Sequence, residues 1–403
     1  MDLQQYMDRE ARYGAHNYHP LPVVLERGEG IYLWDVQGKR YFDFLSAYSA
    51  VNQGHCHPKI IGAMIDQARK LTLTSRAFYN NVLGEWEEYV TRYFGYDKVL
   101  PMNTGAEADE TALKLCRKWA YLKKGVPDGK AKIIVCDGNF HGRTITIISL
   151  SNDPDSYGGY GPFTPGFVRI PYNDLKALEQ ELQDPHVAGF LVEPIQGEAG
   201  VYVPDAGYLK KAYELCKRHN VLFMADEVQT GIARTGKLLA CDHEGVRPDV
   251  LILGKALSGG VFPVSCVLAD DEIMLCIKPG EHGSTFGGNP VAARVSMAAL
   301  EIVKEEELAQ NAETLGELFR ERMQAIDSDR IELVRGRGLL NAVVIKPKNG
   351  ETAWDVCLKM RDKGLLAKPT HQHIIRFAPP LVIQKIELLE AIGIIENVFA
   401  ELQ

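Results

Sequence analysis

The sequence lacks the features that would mark a membrane, targeted or nucleic-acid-binding protein. It has no apolar run near the ~20 residues that a membrane-spanning helix needs. Its first ten residues, MDLQQYMDRE, are acidic and polar, whereas a targeting peptide is apolar or arginine-rich. It has no block of basic residues, and its 45 Lys and Arg against 53 Asp and Glu give a formal net charge of −8. We therefore expect a soluble cytosolic protein without membrane or nucleic-acid partners, with the mitochondrial matrix as the alternative if a presequence has been removed.

Paired cysteines and metal-binding clusters are also absent from the sequence. The eight cysteines lie singly, without a C-x-x-C motif, in a chain of 403 residues that is too large to need disulfides. We expect reduced, mostly buried thiols. The pairs His55/His57 and His371/His373 have no further ligands beside them, which is poor spacing for zinc. We interpret these histidines as turn or core residues and predict no metal.

Two nucleotide-binding motifs are present only in part. The segment GIARTGKL at 231–238 nearly matches the P-loop pattern, but Leu238 occupies the position of the magnesium-binding hydroxyl. Gly336 and Gly338 are followed by Asn341, where the third glycine of G-x-G-x-x-G belongs. A P-loop NTPase and a nicotinamide enzyme are both disfavoured for these reasons.

The order of hydrophobic patterns predicts an α/β fold with a second, smaller α+β domain. VVLERGEGIYLWDVQGKRYFDF alternates apolar and polar residues between glycines, which predicts a small antiparallel meander. From Lys59 to about residue 290, strand and helix patterns alternate. The runs AGFLVEP, VLFMADEV and DVLILGKAL are short and continuously hydrophobic, as parallel strands covered on both faces are. This pattern is typical of a doubly wound, mainly parallel sheet.

A chain of this length is expected to form roughly two domains. We assign residues 1–58 to an N-terminal segment that contains the meander and belongs to the small domain. Residues 59–290 form the large α/β domain. Residues 291–403 form the C-terminal small α+β domain, because two amphipathic helical stretches, two strand-like segments and a final helix follow Asn289.

Polar residues end three of the apolar runs, at Glu193, Asp226 and Lys255. In open α/β sheets, ligands bind outside the carboxyl ends of the strands, so Asp226 and Lys255 are expected to face one crevice. A carboxylate and an amine so placed suit pyridoxal phosphate, because the lysine forms an imine while the carboxylate keeps the pyridine nitrogen protonated. Taken singly, a helix cap and a solvated lysine explain these two residues more often. The apolar strand and the ALSGG segment beside Lys255 favour the functional interpretation.

Two glycine-containing segments are candidates for binding a phosphate. NTGAEADETALK supplies a strand end, a glycine and a helix start, so Gly105 and Ala106 are the predicted cradle. An ordinary helix N-cap explains the same residues at least as often. EHGSTFGGNP offers the hydroxyl of Thr285 to the same phosphate, although by composition it is equally a surface turn.

LFMADEVQTGIARTGK followed by LILGKALSGG resembles the signature of the class III aminotransferases, which are pyridoxal-phosphate enzymes of fold type I. The resemblance runs from YGAHNY through NTGAEA, NFHGRT, EPIQGEAG and HGSTFGGNP to IIRFAPPL. It implies a large doubly wound domain with a smaller α+β domain, pyridoxal 5′-phosphate as cofactor, and a homodimer that shares its active sites.

The resemblance also implies roles for the cofactor-binding residues. Lys255 would form the imine and move the substrate proton, Asp226 would pair with the ring nitrogen, and Gln229 would bond the phenolic oxygen. The other roles fall to Phe140 and Val228 on the two ring faces, to Gly105, Ala106 and the partner subunit's Thr285 on the phosphate, to His141 as a support, and to Glu193 behind the site. His141 is alternatively a satisfied core residue.

Within the family, the chain most resembles members that transfer the δ-amino group of L-ornithine to 2-oxoglutarate, through YGAHNYHPLPVVLERG and FLSAYSAVNQGHCHP. Arg143 would then bind the α-carboxylate of ornithine, Tyr18 its α-amino group, and Tyr48 would shape the pocket. Arg376 would bind the α-carboxylate of glutamate, and Glu198 would mask Arg376 while ornithine is bound. The alternatives are acetylornithine or 4-aminobutyrate as the amino donor and, more remotely, a non-catalytic scaffold with the same fold.

Overall fold

A computed structural model describes residues 2–348 and 350–402 of the chain. Its largest sheet contains β4 (Lys98–Met102), β10 (Ser265–Ala269), β9 (Val250–Leu253), β8 (Leu222–Asp226), β7 (Val187–Val192), β5 (Lys132–Cys136) and β6 (Phe167–Ile170), in that order. The five strands from β9 to β6 are parallel to one another, and β10 runs antiparallel to both β9 and β4. The predicted doubly wound, mainly parallel sheet is confirmed.

Two smaller sheets hold the remaining strands. The first contains β1 (Leu25–Glu29), β2 (Tyr32–Asp35), β3 (Arg40–Asp43) and β13 (Leu365–Leu366). The second contains β11 (Ile331–Arg337), β12 (Leu340–Ile345), β15 (Ile374–Phe377) and β14 (Lys368–Thr370). The antiparallel meander of β1, β2 and β3 is confirmed. The parallel pairing of β13 with β3, which joins the two ends of the chain, was not predicted.

The helices surround these sheets, and the helix Ala353–Asp362, which separates the two strand-like segments predicted after Asn289, was not predicted. They are α1 (Leu3–Tyr13), α2 (Ser46–Ser49), α3 (Pro58–Ala68), α4 (Leu83–Phe94), α5 (Gly105–Trp119), α6 (Ile145–Ile148), α7 (Pro154–Tyr157), α8 (Leu175–Glu181), α9 (Tyr208–Arg218), α10 (Asp271–Met274), α11 (Pro290–Glu305), α12 (Leu308–Gln324), α13 (Ala353–Asp362) and α14 (Lys385–Glu401). Helices α11, α12 and α14 are the three helices expected after Asn289. Their assignment to a separate domain, like the other domain boundaries, stays a prediction.

Burial on both faces explains why the central strands are continuously hydrophobic. Every residue of β7, β8 and β9 is buried. Helix α5 contributes to the apolar cluster on one side of the sheet and α9 to the cluster on the other side. The carboxyl ends of the adjacent parallel strands β8 and β9 consequently lie at one edge of the sheet, and they deliver Asp226 and Lys255 to the same place.

The cysteines lie singly and mostly in the interior, as their sequence positions predict. All eight cysteines are free and, except for Cys56, buried, which confirms the expected reduced thiols. Within residues 2–348 and 350–402, no helix has both the length and the apolar character that crossing a membrane requires.

A buried arginine joins three distant segments around the carboxyl edge of the sheet. Arg234 is 0% exposed; its Nε and Nη2 donate to Asn52 Oδ1 at 3.2 and 2.5 Å. Its Nη1 donates to the carbonyl oxygens of Leu339 and Pro379 at 3.0 and 2.6 Å. Arg234 belongs to the partial P-loop motif, and because the residues from Gly231 to Gly236 are buried, this loop offers no surface to a nucleotide phosphate.

Replacing Arg234 by methionine is expected to lower the free energy of unfolding by about 2–4 kcal/mol, because three buried oxygens lose their donors. Chemical denaturation followed by circular dichroism measures this loss. Arg218→Met, at the exposed end of α9, makes the same chemical change and should shift stability by no more than about 0.5 kcal/mol. Equal stability of the two variants would contradict the role of Arg234.

Candidate functional site

A cavity of about 160 Å³ lies at the carboxyl edge of the large sheet. It is lined by Gly105, Ala106, Asp109, Phe140, His141, Gly142, Glu193, Asp226, Val228, Gln229, Thr230 and Lys255. All of these except Asp109, Gly142 and Thr230 were predicted from the sequence. The structure thus brings together the residues predicted to hold the ring of the cofactor, although their individual roles stay predictions.

Lys255 follows the end of β9 after a single residue, Gly254, and lines this cavity. Its backbone is left-handed, with φ of 40°, and its carbonyl oxygen accepts a hydrogen bond from Ser258 Oγ at 2.7 Å. Removal of the side chain from bulk water lowers the pKa of the ammonium group, although the charges of Glu198 and Asp226 oppose this effect. The amine is therefore more easily deprotonated than an ordinary lysine, as a nucleophile or a general base must be.

Asp226 is held in place by a buried histidine. His141 Nδ1 donates to Asp226 Oδ2 at 2.6 Å, and the backbone N–H of Val228 donates to Asp226 Oδ1 at 2.9 Å. Burial alone would lower the pKa of His141, but the hydrogen bond and charge of Asp226 outweigh it and raise the pKa overall. The hydrogen bond from His141 fixes the orientation of the Asp226 carboxylate, which suits a group that must pair with a protonated ring nitrogen.

Asp109 was missed by the sequence analysis. It is 1% exposed, its Oδ1 has no hydrogen-bond partner, and burial together with the charges of Asp226 and Glu193 raises its pKa. Ligand atoms of Asp109, His141 and Asp226 lie within 4.8 Å of one another, but His141 Nδ1 is already bonded to Asp226. The absence of a metal stays a prediction. In the sequence, Asp109 lies four residues after Gly105, which is one helical turn along α5. This spacing could have indicated that Asp109 shares a helix face with the predicted phosphate cradle.

The start of α5 fits a phosphate group. Thr104 Oγ1 accepts from the backbone N–H of Glu107 at 3.2 Å, and the Glu107 side chain accepts from the backbone N–H of Thr104 at 2.8 Å. This capping box begins the 15-residue helix at Gly105 and leaves the neighbouring N–H groups at the cavity. A Cβ atom at Gly142 would lie 2.6 Å from the Cβ of Ala106, so a side chain there would distort this wall.

These residues fit pyridoxal phosphate in their chemistry. A lysine amine, a carboxylate oriented by a histidine and a helix N-terminus match the aldehyde, the ring nitrogen and the phosphate of that cofactor. Thr285 is not among the described residues that line the cavity. Its assignment to the phosphate of the neighbouring subunit stays a prediction.

Glu198 and Arg376 form the predicted ion pair beside this cavity. Arg376 Nη1 and Nη2 donate to Glu198 Oε1 and Oε2 at 2.8 and 3.1 Å, and Arg376 is 3% exposed. Burial would raise the pKa of Glu198, but the charge and hydrogen bonds of Arg376 lower it overall. Gln229 Nε2 donates to Glu198 Oε1 at 3.3 Å and connects the ion pair to the cofactor cavity.

Tyr18 and Tyr48 line a second cavity of about 460 Å³. The guanidinium carbon of Arg376 lies 5.2 Å from the ring centroid of Tyr48. This second cavity therefore lies next to the ion pair between Glu198 and Arg376. Tyr18 is 76% exposed. The exposed Arg143 has its guanidinium carbon 5.7 Å from the ring centroid of Phe140. None of the five predicted substrate residues is among the described residues that line the cofactor cavity. Arg143 lies beside that cavity through its contact with Phe140, and Glu198 through its hydrogen bond with Gln229.

Tyr48 is presented by an unusual left-handed turn, α2. The φ angles of Ser46, Ala47, Tyr48 and Ser49 are 49°, 46°, 60° and 71°, although none of these residues is glycine. Such conformations cost roughly 1–2 kcal/mol per residue. Asp43 Oδ1 stabilises the turn by accepting the backbone N–H groups of Leu45 and Ser46 at 2.8 and 2.9 Å. None of the residue types in this turn indicates a left-handed backbone.

The chain is similar to known aminotransferases over nearly its whole length. The aminotransferase class-III family model matches residues 13–399. The mitochondrial ornithine aminotransferase of Rattus norvegicus is 66% identical over 390 residues, which cover 97% of this chain and 89% of the rat protein. The solved structure of the ornithine aminotransferase from Toxoplasma gondii ME49 is 49% identical, with a TM-score of 0.98 over 100% of this chain and 96% of that chain.

A solved acetylornithine aminotransferase from Elizabethkingia anophelis is also similar to this chain. It is 58% identical, with a TM-score of 0.92 over 100% of both chains. These similarities extend over nearly the whole chain and include the strands that carry Asp226 and Lys255. The chain belongs to the class-III aminotransferase family.

Proposed function

We propose that this chain transfers the δ-amino group of L-ornithine to 2-oxoglutarate. The products are glutamate and glutamate-5-semialdehyde, which cyclises to pyrroline-5-carboxylate. The ion pair between Glu198 and Arg376 beside the Lys255 cavity carries this proposal. The names of the rat and Toxoplasma gondii relatives support it.

The ion pair explains how an enzyme with one pocket selects the δ-amino group. An unpaired Arg376 would bind the α-carboxylate of ornithine, which would bring the α-amino group to Lys255. While Glu198 occupies both terminal nitrogens of Arg376, ornithine must bind the other way round, with its α-carboxylate at Arg143 and its α-amino group at Tyr18. The δ-amino group then points into the cofactor cavity.

The second half-reaction requires Arg376 to be released. A dicarboxylate such as 2-oxoglutarate competes with Glu198 for the guanidinium group, because both offer a carboxylate of the same geometry. Gln229 Nε2 already donates to Glu198 Oε1 at 3.3 Å and provides a partner for the displaced carboxylate. Glu198 therefore need not become an unpaired buried charge when the substrate changes.

Pyridoxal 5′-phosphate is the cofactor of this chain, and when bound it supplies an electron sink for bond cleavage at the substrate carbon. We propose that Lys255 Nζ holds it covalently and moves the substrate proton, while Asp226, oriented by His141, holds a proton at the ring nitrogen. The remaining contacts are assigned to Gln229 at the phenolic oxygen, to Phe140 and Val228 at the ring faces, to Gly105, Ala106 and the partner subunit's Thr285 at the phosphate, and to Glu193 behind the site.

Assembly and compartment belong to the same proposal. The assignment of the partner subunit's Thr285 requires a homodimer with shared active sites, and the exposed Phe286 beside Thr285 is consistent with a covered surface there. We propose that the protein works in the cytosol. The alternative is the mitochondrial matrix, because the rat relative and that of Drosophila melanogaster are named mitochondrial.

A panel of amino donors tests the function directly. With 2-oxoglutarate as acceptor, kcat/KM for ornithine should exceed that for N-acetylornithine and 4-aminobutyrate by at least about 100-fold, because neither alternative presents both a free α-amino group and an α-carboxylate to Tyr18 and Arg143. Mass spectrometry identifies pyrroline-5-carboxylate as the product. Lys255→Ala is the inactive control. Faster turnover of acetylornithine or 4-aminobutyrate would refute the assignment.

Glu198→Gln should change which amino group reacts. Glutamine cannot neutralise the buried Arg376, so ornithine is expected to bind by its α-carboxylate at that residue. The rate of pyrroline-5-carboxylate formation should fall about 10- to 100-fold, and the product of α-amino transfer should become detectable by mass spectrometry. Glu179→Gln, an exposed substitution on α8, should keep the wild-type product. Unchanged product identity in Glu198→Gln would rule out the masking role.

A further inference from the structure

A second cation lies beside Arg376. Lys368 on β14 is directly opposite Arg376 on β15 in the antiparallel pairing, and directly opposite residues project from the same face of a sheet. The Lys368 Nζ atom lies 5.1 Å from the ring centroid of Tyr48, and the guanidinium carbon of Arg376 lies 5.2 Å from the same centroid. Lys368 also lines the cavity that contains Tyr18 and Tyr48. Two cations thus meet at one aromatic ring in the substrate pocket.

Only one of these two cations is neutralised by an acid. Glu198 is paired with Arg376, whereas no carboxylate within residues 2–348 and 350–402 forms an ion pair with Lys368. Asp43 lines the same cavity, but its oxygens accept hydrogen bonds from His55 and from two backbone N–H groups. Like charges directly opposite one another destabilise a strand pair. An anion bound between them would remove this cost.

We propose that Lys368 is a further substrate-binding residue, which together with Arg376 binds the α-carboxylate of the dicarboxylate substrate. This inference rests on the proposed function. 2-Oxoglutarate carries two negative charges, whereas ornithine carries a net positive charge, so the uncompensated ammonium group attracts the acceptor and repels the donor. Arg376 supplies bidentate geometry and Lys368 supplies a second point charge.

Steady-state kinetics of Lys368→Met separate this role from a structural one. Removing the charge should raise KM for 2-oxoglutarate about 10-fold, while KM for ornithine stays constant or falls. Lys368→Arg keeps the charge and should remain within about twofold of wild type for both substrates. Lys346→Met removes the same charge from an exposed position just after β12 and serves as the matched control. Damage to the fold would instead raise KM for both substrates.

Binding of glutarate, an unreactive dicarboxylate, provides a readout that does not depend on turnover. Calorimetry on the holoenzyme should show about 10-fold weaker binding in Lys368→Met and in Lys368→Gln than in wild type. Unchanged glutarate affinity, or equal effects on both substrates, would overturn the role of Lys368. If the wild-type protein did not turn over ornithine, the proposed function would be refuted instead. The glutarate measurement would still decide whether Lys368 binds a dicarboxylate.

Discussion

The hydrogen bonds of Arg234 hold together the parts of the chain that build the substrate side of the site. Asn52 follows the left-handed turn that presents Tyr48, and Pro379 follows the strand that carries Arg376. Both accept hydrogen bonds from one guanidinium group that is completely buried. The distance between Tyr48 and Arg376 therefore depends on a residue that touches neither. Such an arrangement fixes the pocket by hydrogen-bond geometry as well as by apolar packing.

The cofactor side of the site was largely predictable because its signals are local. Asp226 and Lys255 end two short hydrophobic runs, and adjacent parallel strands must deliver such residues to one edge of a sheet. Gly105 begins a helix whose cap is visible in the sequence as Thr104 and Glu107. Strand periodicity and helix capping are short-range properties, so the sheet and the cavity could be anticipated from them.

The features that escaped prediction depend on contacts between distant segments. The pairing of β13 with β3 joins residues more than 300 positions apart, and no local pattern encodes it. Asp109 belongs to the site because α5 packs beside β8 and β9. The sequence places Asp109 one helical turn after Gly105, but it does not show that this face of α5 meets the sheet at the site. Tyr48 was predicted to shape the pocket through family resemblance, but the left-handed backbone that places it follows from long-range support by Asp43 and by the bond from Ser46 Oγ to the carbonyl oxygen of Ala378.

In the left-handed turn at Ser46–Ser49, the residues that would favour thermal stability differ from those that favour discrimination between substrates. Glycine adopts this backbone conformation without steric cost, so a glycine at Ala47 would relieve strain in the folded chain. The same change would loosen the backbone next to Tyr48 and widen the range of positions open to its ring. Selection for heat resistance alone would therefore favour glycine in this turn, whereas selection for discrimination between amino donors would keep the strained residues.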